Sequence, residues 1–277
     1  MNAKSLLKIE FIKLRKQTYF WVIAAFIIVF FSLITFKFAT LNLKVSFLFP
    51  NSNDIVTSKF FIFPNIWQTI AWIASWFNHF LAFLIIIYVS NEFTNKTYRQ
   101  LVVSGMKKSQ LINSKILVIF LLPILLFILI LIFSIIFGNV YTANKNICIF
   151  SGSIYLFTYY LQAISYMLIA LLLVLIFKKP GISIMMYINL LLLEFTFRFW
   201  LTTTTLKSII YFLPIKAISL LTPRPSSNIC LRESTALQFH INDLTTPKPL
   251  ILIVSISIIY AILFYVFSIL IIKRKSL

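Results

Sequence analysis

Long apolar runs alternate with short polar segments along this chain. A membrane-spanning helix needs roughly 20 predominantly apolar residues, and six stretches reach that length. They are about Thr18–Phe38, Pro64–Ser90, Ile116–Gly138, Ser153–Phe177, Gly181–Leu201 and Leu250–Ile272. The pattern therefore predicts an all-α integral membrane protein with six transmembrane helices, forming a single domain over residues 1–277.

The composition agrees with this pattern. The chain is 61% hydrophobic and 11% charged, whereas a soluble domain carries about 25% charged residues. The net charge of +19 would ordinarily suggest a nucleic-acid partner. Because the cations stand between apolar runs, we expect them to face membrane lipids instead, and we expect no nucleic-acid partner.

The distribution of lysine and arginine predicts the orientation of the spans. Fifteen of the 25 basic residues fall at the two chain ends and in the segments after the second and fourth spans, and the other ten are spread over longer segments. Basic residues concentrate on the cytoplasmic side of a membrane. We therefore expect both termini to be cytoplasmic, in a bacterial cytoplasmic (inner) membrane.

The N-terminal segment, residues 2–17, has the pattern of a basic amphipathic helix. Leu7, Phe11 and Leu14 recur at helical spacing and are bordered by lysines and arginines. Such a helix lies in the membrane interface with its cations toward anionic headgroups. A basic tail that only sets the topology of the first span is the alternative.

Residues 91–115, here called the polar loop, form a charged segment between the second and third spans. Five cations share the loop with one acid, Glu92. The sequence is compatible with a helix at Thr97–Val103, a break at Gly105, and a second helix that restarts at Lys107–Lys108. A solvated basic loop that merely obeys the charge rule is the alternative to a surface that contacts another protein.

The order of residues in the polar loop resembles the cytoplasmic loop of type-2 ABC exporter permeases. The residues that carry the resemblance are Glu92, Thr97, Arg99, Leu101, Lys107–Lys108 and Lys115. In that family an acid closes the second span, a Gly-Thr pair and an Arg follow, and a Pro/Ser/Arg turn precedes a closing Lys. Lys96 and Gly105 depart from the family, which often has Gly and Pro at these places.

The resemblance implies a transport subunit that exports a hydrophobic or peptide-like substrate and is not itself an enzyme. Its polar loop would contain a cytoplasmic coupling helix that inserts into a separate ABC ATPase subunit. The implied coupling residues are Glu92, Thr97, Arg99, Gly105, Lys107 and Lys108. ATP and Mg would bind the ATPase partner and no cofactor this chain, and a second permease copy, identical or different, would complete the assembly.

The remaining sequence is consistent with a missing ATPase. The sequence contains no GxxxxGK[ST] phosphate loop and only four glycines. The energy for transport must therefore come from another protein or from a gradient. The sequence contains neither an HExxH nor a GxSxG motif, which are signatures of metalloproteases and serine hydrolases. The two histidines also lack the spacing from a cysteine that a zinc site needs. The alternative function is a scaffold or sensor subunit that transports nothing and binds a cytoplasmic partner through the polar loop.

Two features lie toward the opposite side of the membrane. Glu194 stands inside the fifth span with Arg198 at i+4, which predicts an intramembrane charge pair; a substrate-path or inter-subunit contact is the alternative. The extracytoplasmic loop, residues 202–249, contains Leu206–Leu221, a short apolar stretch that Pro214 breaks into a re-entrant or interfacial helix pair. Cys148 and Cys230 fall in predicted outside loops, where a disulfide would be possible.

Overall fold

The computed structural model describes residues 10–48, 58–95, 97–103, 105, 108–142, 149–150, 152–202, 207–225 and 250–274. All regular structure in these residues is helical. The α-helices are α1 Thr18–Leu48, α2 Asn65–Ser75, α3 Asn78–Thr94, α4 Thr97–Val103, α5 Lys108–Tyr141, α6 Ile154–Phe177, α7 Pro180–Thr202, α8 Pro214–Ser219 and α9 Leu250–Arg274. Short 3-10 helices stand at Ser58–Phe61 and Lys207–Phe212.

Six helical stretches are long and apolar enough to cross a membrane. Five are the single helices α1, α5, α6, α7 and α9, and the second span consists of α2 followed by α3. The predicted all-α membrane fold with six transmembrane helices is therefore confirmed. The bundle has two ends: the polar-loop end, which carries residues 91–115, and the far end, which carries residues 207–225.

The second span is interrupted near its middle. The backbone N–H of Trp76 donates to the carbonyl of Ile73 at 3.4 Å, and that of Phe77 donates to Ala74 at 3.0 Å. These i→i−3 bonds tighten the last turn of α2 before α3 begins. The interruption lets the span change direction while its backbone groups remain hydrogen-bonded, as a bilayer requires.

Helix α6 is the centre of the bundle. It packs against α2, α3, α5, α7 and α9, and most of its residues are buried. Lipid tails are as apolar as leucine, so helices in a membrane associate through close packing and interhelical hydrogen bonds. The buried small and polar residues of α6 fit this requirement; they include Ala163, Ser165, Ala170 and Gln162, which accepts hydrogen bonds from Asn78 and Thr222.

The far end is closed by a folded segment, residues 207–225. A 3-10 helix leads to Leu213, which is extended, and Pro214 then starts α8 at a position where its missing N–H costs nothing. Ile215, Ala217 and Ile218 are buried against the bundle. The two short helices therefore stand where the sequence predicts a helix pair broken at Pro214.

Candidate functional site

Helix α4 projects from the polar-loop end of the bundle. It ends at Val103, and Gly105 follows with a φ of +91°, a left-handed conformation that glycine adopts at little cost. The chain thereby turns sharply before α5 begins. Val103 is 87% exposed and Gln100 is also exposed, so the tip of α4 offers an apolar side chain that nothing in the described chain covers.

Two contacts fix α4 to the end of the second span. The Thr97 hydroxyl donates to the Glu92 carbonyl at 3.1 Å. The Tyr98 ring stacks on the Phe93 ring, with centroids 4.8 Å apart and planes at 27°. Tyr98 is 5% exposed. A seven-residue helix is marginal by itself, so these contacts hold α4 in place.

Beneath α4 lies a group of buried polar side chains, here called the charge cluster. Its members are Glu10, Lys13, Tyr88, Glu92, Ser114 and Lys115. Lys115 is the centre: its Nζ lies 2.7 Å from Glu10 Oε2 and 2.6 Å from Glu92 Oε1. Glu10, Glu92 and Lys115 are 3%, 6% and 4% exposed.

The other members add contacts to both oxygens of Glu10 and to Oε1 of Glu92. Lys13 Nζ lies 3.3 Å from Glu92 Oε1 and 3.6 Å from Glu10 Oε1. Ser114 Oγ donates to Glu10 Oε1 at 3.1 Å, and the Tyr88 hydroxyl donates to Glu10 Oε2. The cluster therefore ties the N-terminal segment, the end of α3 and the beginning of α5 together.

The electrostatics of the cluster favour its charged form. Two carboxylates face two ammonium groups, so the buried group is neutral overall, as low-dielectric surroundings demand. Burial raises the pKa of Glu10, but Lys115, Tyr88 and Lys13 together outweigh burial and hold that pKa below its ordinary value of 4.5. Nearby, burial and then the charge of Glu92 raise the pKa of Tyr98 to about 12.

The predicted coupling residues fall into two groups. Glu92 is buried in the charge cluster, whereas Gly105 is exposed at the turn. Thr97 is half-buried and anchors α4. Arg99 and Lys108 lie on described backbone but their side chains do not belong to the described part, and Lys107 lies outside the described residues, as do Lys96, Cys148 and Cys230. The structure thus places Glu92 where it supports the loop rather than on its surface.

Sequence reasoning missed Glu10, and it used Lys115 as a loop cation and in the family resemblance but not as a coupling residue. A signal was present, because Glu10 is the one acid among the first 53 residues and stands in a strongly basic segment. An acid there works against the attraction of the segment to anionic headgroups. That cost indicates a specific partner, and Lys115 is that partner.

The predicted pair of Glu194 and Arg198 is not a direct ion pair. Glu194 Oε2 accepts a hydrogen bond from the backbone N–H of Ile215 at 2.9 Å, and Oε1 accepts one from Lys216 at 2.6 Å. Arg198 Nε points to the backbone carbonyl of Glu194 at 3.4 Å. The first N–H groups of α8 have no partner within their own helix, so the carboxylate binds them in preference to the guanidinium.

Glu194 is one of several side chains that hold the far-end segment, and we call this set the far-end clasp. Side chains of four spans donate to or accept from residues 207–225. They are Gln68, bonded to the carbonyls of Pro223 and Arg224; Gln162, bonded to Thr222; Glu194; Ser257, bonded to the carbonyl of Ala217; and Tyr260, bonded to the carbonyl of Phe212.

Next to the clasp, a cavity of about 370 Å³ lies between α6, α7, α8 and α9. Its walls are aliphatic and aromatic apart from Glu194; they include Leu173, Leu193, Phe197, Pro214 and Phe264. Leu193 and Phe197 are also exposed on the outside of the bundle.

Among the described residues, no group of three or more His, Cys, Asp and Glu side chains comes together as a metal site needs.

Comparison with known proteins gave one family. The family model described as "ABC-2 family transporter protein" matches residues 6–195. This region contains the charge cluster, the polar loop and Glu194, and it ends before the far-end segment and α9. The comparisons with curated proteins and with solved structures gave no match.

Proposed function

Because the chain belongs to the ABC-2 family of transporter proteins, we propose that α4 is the coupling helix through which a separate ATPase drives it. The chain is a multi-pass membrane protein and a permease subunit of an ABC transporter. ATP and Mg bind the ATPase partner in this proposal, and the chain itself carries no cofactor. The conclusion rests on one observation, the exposed Val103 at the tip of α4.

The tip of α4 has the properties of a contact anchor. An exposed apolar side chain contributes favourable free energy when a partner covers it and removes it from water. Among the described side chains of the polar loop, Val103 is the most exposed apolar one, and Gly105 after it has a left-handed backbone conformation. Arg99 and Lys107–Lys108 make this stretch of the sequence basic, which favours an acidic surface on the partner.

Through the charge cluster, a displacement of α4 would be passed on to the transmembrane helices α3 and α5. Glu92 precedes α4 and Lys115 follows the loop, so the two ends of the polar loop are joined by one ion pair. Glu10 extends the junction to the N-terminal segment. We assign Glu92 a positioning role: it holds the base of α4 rigid so that displacement of the helix moves α3 and α5 together.

The proposed orientation puts the polar-loop end in the cytoplasm. Basic residues concentrate at this end, and an ATPase partner requires a nucleotide-containing compartment. Both termini are then cytoplasmic, in a bacterial inner membrane. The far-end segment faces outward, and its clasp closes the outer side of the bundle.

The proposed transport direction is export, and the proposed substrate is hydrophobic or peptide-like. The apolar cavity beside the far-end clasp supports an apolar substrate because its single charged group, Glu194, is already hydrogen-bonded to backbone N–H groups. A second permease copy, identical or different, pairs with this one. The outward faces of α1, α7 and α9 are largely exposed and are available to that copy or to lipid.

Co-purification with the ATPase subunit tests the proposal. The chain is expressed together with an ABC ATPase subunit from the same organism, and Val103→Glu is compared with the unchanged chain. A buried charge at an anchor position costs about 2 kcal/mol or more, so we expect roughly 30-fold weaker binding. Val140→Glu is the matched control, because Val140 is 71% exposed at the opposite end of α5.

Three outcomes are distinguishable. Loss of the ATPase from Val103→Glu but not from Val140→Glu supports the coupling role. Equal retention by both variants overturns it. Binding of an ATPase whose hydrolysis has no effect on transport across the membrane would instead favour the scaffold or sensor function.

A further inference from the structure

The connection between α6 and α7 is very short. Helix α6 ends at Phe177 and α7 begins at Pro180, so Lys178 and Lys179 alone join them. Lys178 has a φ of 59°, in the left-handed region, and its N–H donates to the Val174 carbonyl at 2.8 Å. Because the turn is only two residues long, the end of α6 and the beginning of α7 have little freedom to move relative to each other. We therefore expect the two helix ends to move together.

This turn contacts the base of α4 through an aromatic row. Lys178 Nζ lies over the Phe93 ring, 5.9 Å from its centroid, which is within reach of a cation–π attraction. The other neighbour of Phe93 is Tyr98, whose ring stacks on it at 4.8 Å. The row Tyr98, Phe93, Lys178 therefore runs from α4 over the end of α3 to the α6–α7 turn.

The aromatic row leads to a different part of the bundle from the charge cluster. The cluster joins the N-terminal segment, α3 and α5, and none of its members belongs to α4, α6 or α7. Helix α6 is the central helix, and α7 carries Glu194, which holds the far-end segment. Through Phe93, the row links α4 to the α6–α7 turn, in addition to the packing of α3 against α6 and α7.

Its chemistry is that of a packing contact. Tyr98 is 5% exposed, and its hydroxyl has no hydrogen-bond partner among the residues that the structure describes. The stacking uses the ring face and not the hydroxyl. A phenylalanine at position 98 should therefore serve as well as the tyrosine, whereas an aliphatic residue should not.

We infer that the aromatic row is a second mechanical route of the permease, along which displacement of α4 reaches α6 and α7. The inference rests on the proposed coupling function of α4. Tyr98 is a positioning residue in this route, since it acts through Phe93 and touches neither nucleotide nor substrate. Coupling between distant sites travels through contiguous packed groups of this kind.

The experiment follows motion at the outer end of α7 in the complex with the ATPase. Thr202, which is exposed there, is replaced by cysteine in a chain carrying Cys148→Ser and Cys230→Ser. A membrane-impermeant maleimide labels it from outside, with and without Mg-ATP and vanadate. The rate ratio between the two conditions is compared in Tyr98→Leu, Tyr98→Phe, Lys178→Gln and Lys179→Gln. Lys179 is the matched control because it is the exposed neighbour of the same charge.

We expect vanadate trapping to change the labelling rate in the parent complex. Tyr98→Leu should shrink that change about five-fold or more, Lys178→Gln should shrink it less, and Tyr98→Phe and Lys179→Gln should preserve it. The inference is overturned if Tyr98→Leu keeps the full change, if Tyr98→Phe loses as much as Tyr98→Leu, or if the parent shows no change. Each complex is also assayed for bound ATPase, so loss of the partner, which would contradict the proposed function, is recognised separately.

Discussion

The two ends of the bundle hold buried carboxylates in different ways. At the polar-loop end, Glu10 and Glu92 are neutralised by the side chains of Lys13 and Lys115. At the far end, Glu194 is satisfied by the backbone N–H groups of α8. A side-chain cluster depends on the identity of every member, whereas the two hydrogen bonds to Glu194 require only backbone N–H groups, which every residue except proline supplies. The polar-loop end is therefore specified residue by residue and the far end mainly by backbone shape.

The largest expected effect is at the centre of the charge cluster. Lys115→Met leaves two buried carboxylates facing one partly exposed lysine, and breaking a buried ion pair costs about 3–5 kcal/mol. We expect a loss of that size in the free energy of unfolding, measured by denaturant titration in mixed micelles.

Lys216→Met is the matched control for this comparison. It removes an equally charged side chain at the far end but keeps the backbone N–H that Glu194 binds. We expect a loss clearly smaller than that of Lys115→Met, because both hydrogen bonds to the Glu194 carboxylate remain. Similar losses in both variants would show that the two ends do not differ in the way described.

An intermediate effect is expected from Glu194→Ala. The change leaves the N–H groups of Ile215 and Lys216 without their acceptor, at a cost of about 2 kcal/mol. Glu194→Gln should cost less, because the amide oxygen still accepts one of the two hydrogen bonds. The measurement is the same titration, together with the rate of proteolysis in the far-end segment.

Arg198→Gln distinguishes the clasp from the predicted charge pair. If the backbone clasp is the main partner of Glu194, removal of the guanidinium should cost less than Glu194→Ala. A loss as large as that of Glu194→Ala would restore the ion-pair interpretation.

The smallest effect is a pH dependence of the charge cluster. The folded-state pKa of Glu10 lies below its ordinary value of 4.5, so its contribution to stability is complete above that pH and is lost as the pH falls through the folded pKa. We expect the unfolding midpoint to decrease in this acid range and Glu10→Gln to flatten the decrease. A decrease that is unchanged in Glu10→Gln would assign it to other carboxylates.

The sequence predicted the spans and the helical loop because their signals are local. Twenty apolar residues form a spanning helix wherever they occur in a membrane protein, and a glycine at position 105 stops a helix. The absence of Glu10 from the predicted site has a physical reason as well. Its partner Lys115 is 105 residues away in the chain, and no periodicity reports a contact of that range.

The hydrogen-bond partners of Glu194 could not be predicted from the sequence for a related reason. The i+4 rule directs attention to Arg198, the nearest cation on the same helix. The true partners are backbone groups 21 and 22 residues away, and every residue but proline has such a group. Side-chain patterns therefore carry no information about a clasp of this kind.

The order of the charge cluster along the chain has a consequence for biosynthesis. All its members lie within the first 115 residues, whereas the far-end clasp needs side chains as late as Tyr260. As the ribosome delivers the chain from its N-terminus, the ion pairs of the polar-loop end can form before α6 exists. The clasp has to wait for the last helix. The permease is thus built starting from its polar-loop end, and its far end is the last part to close.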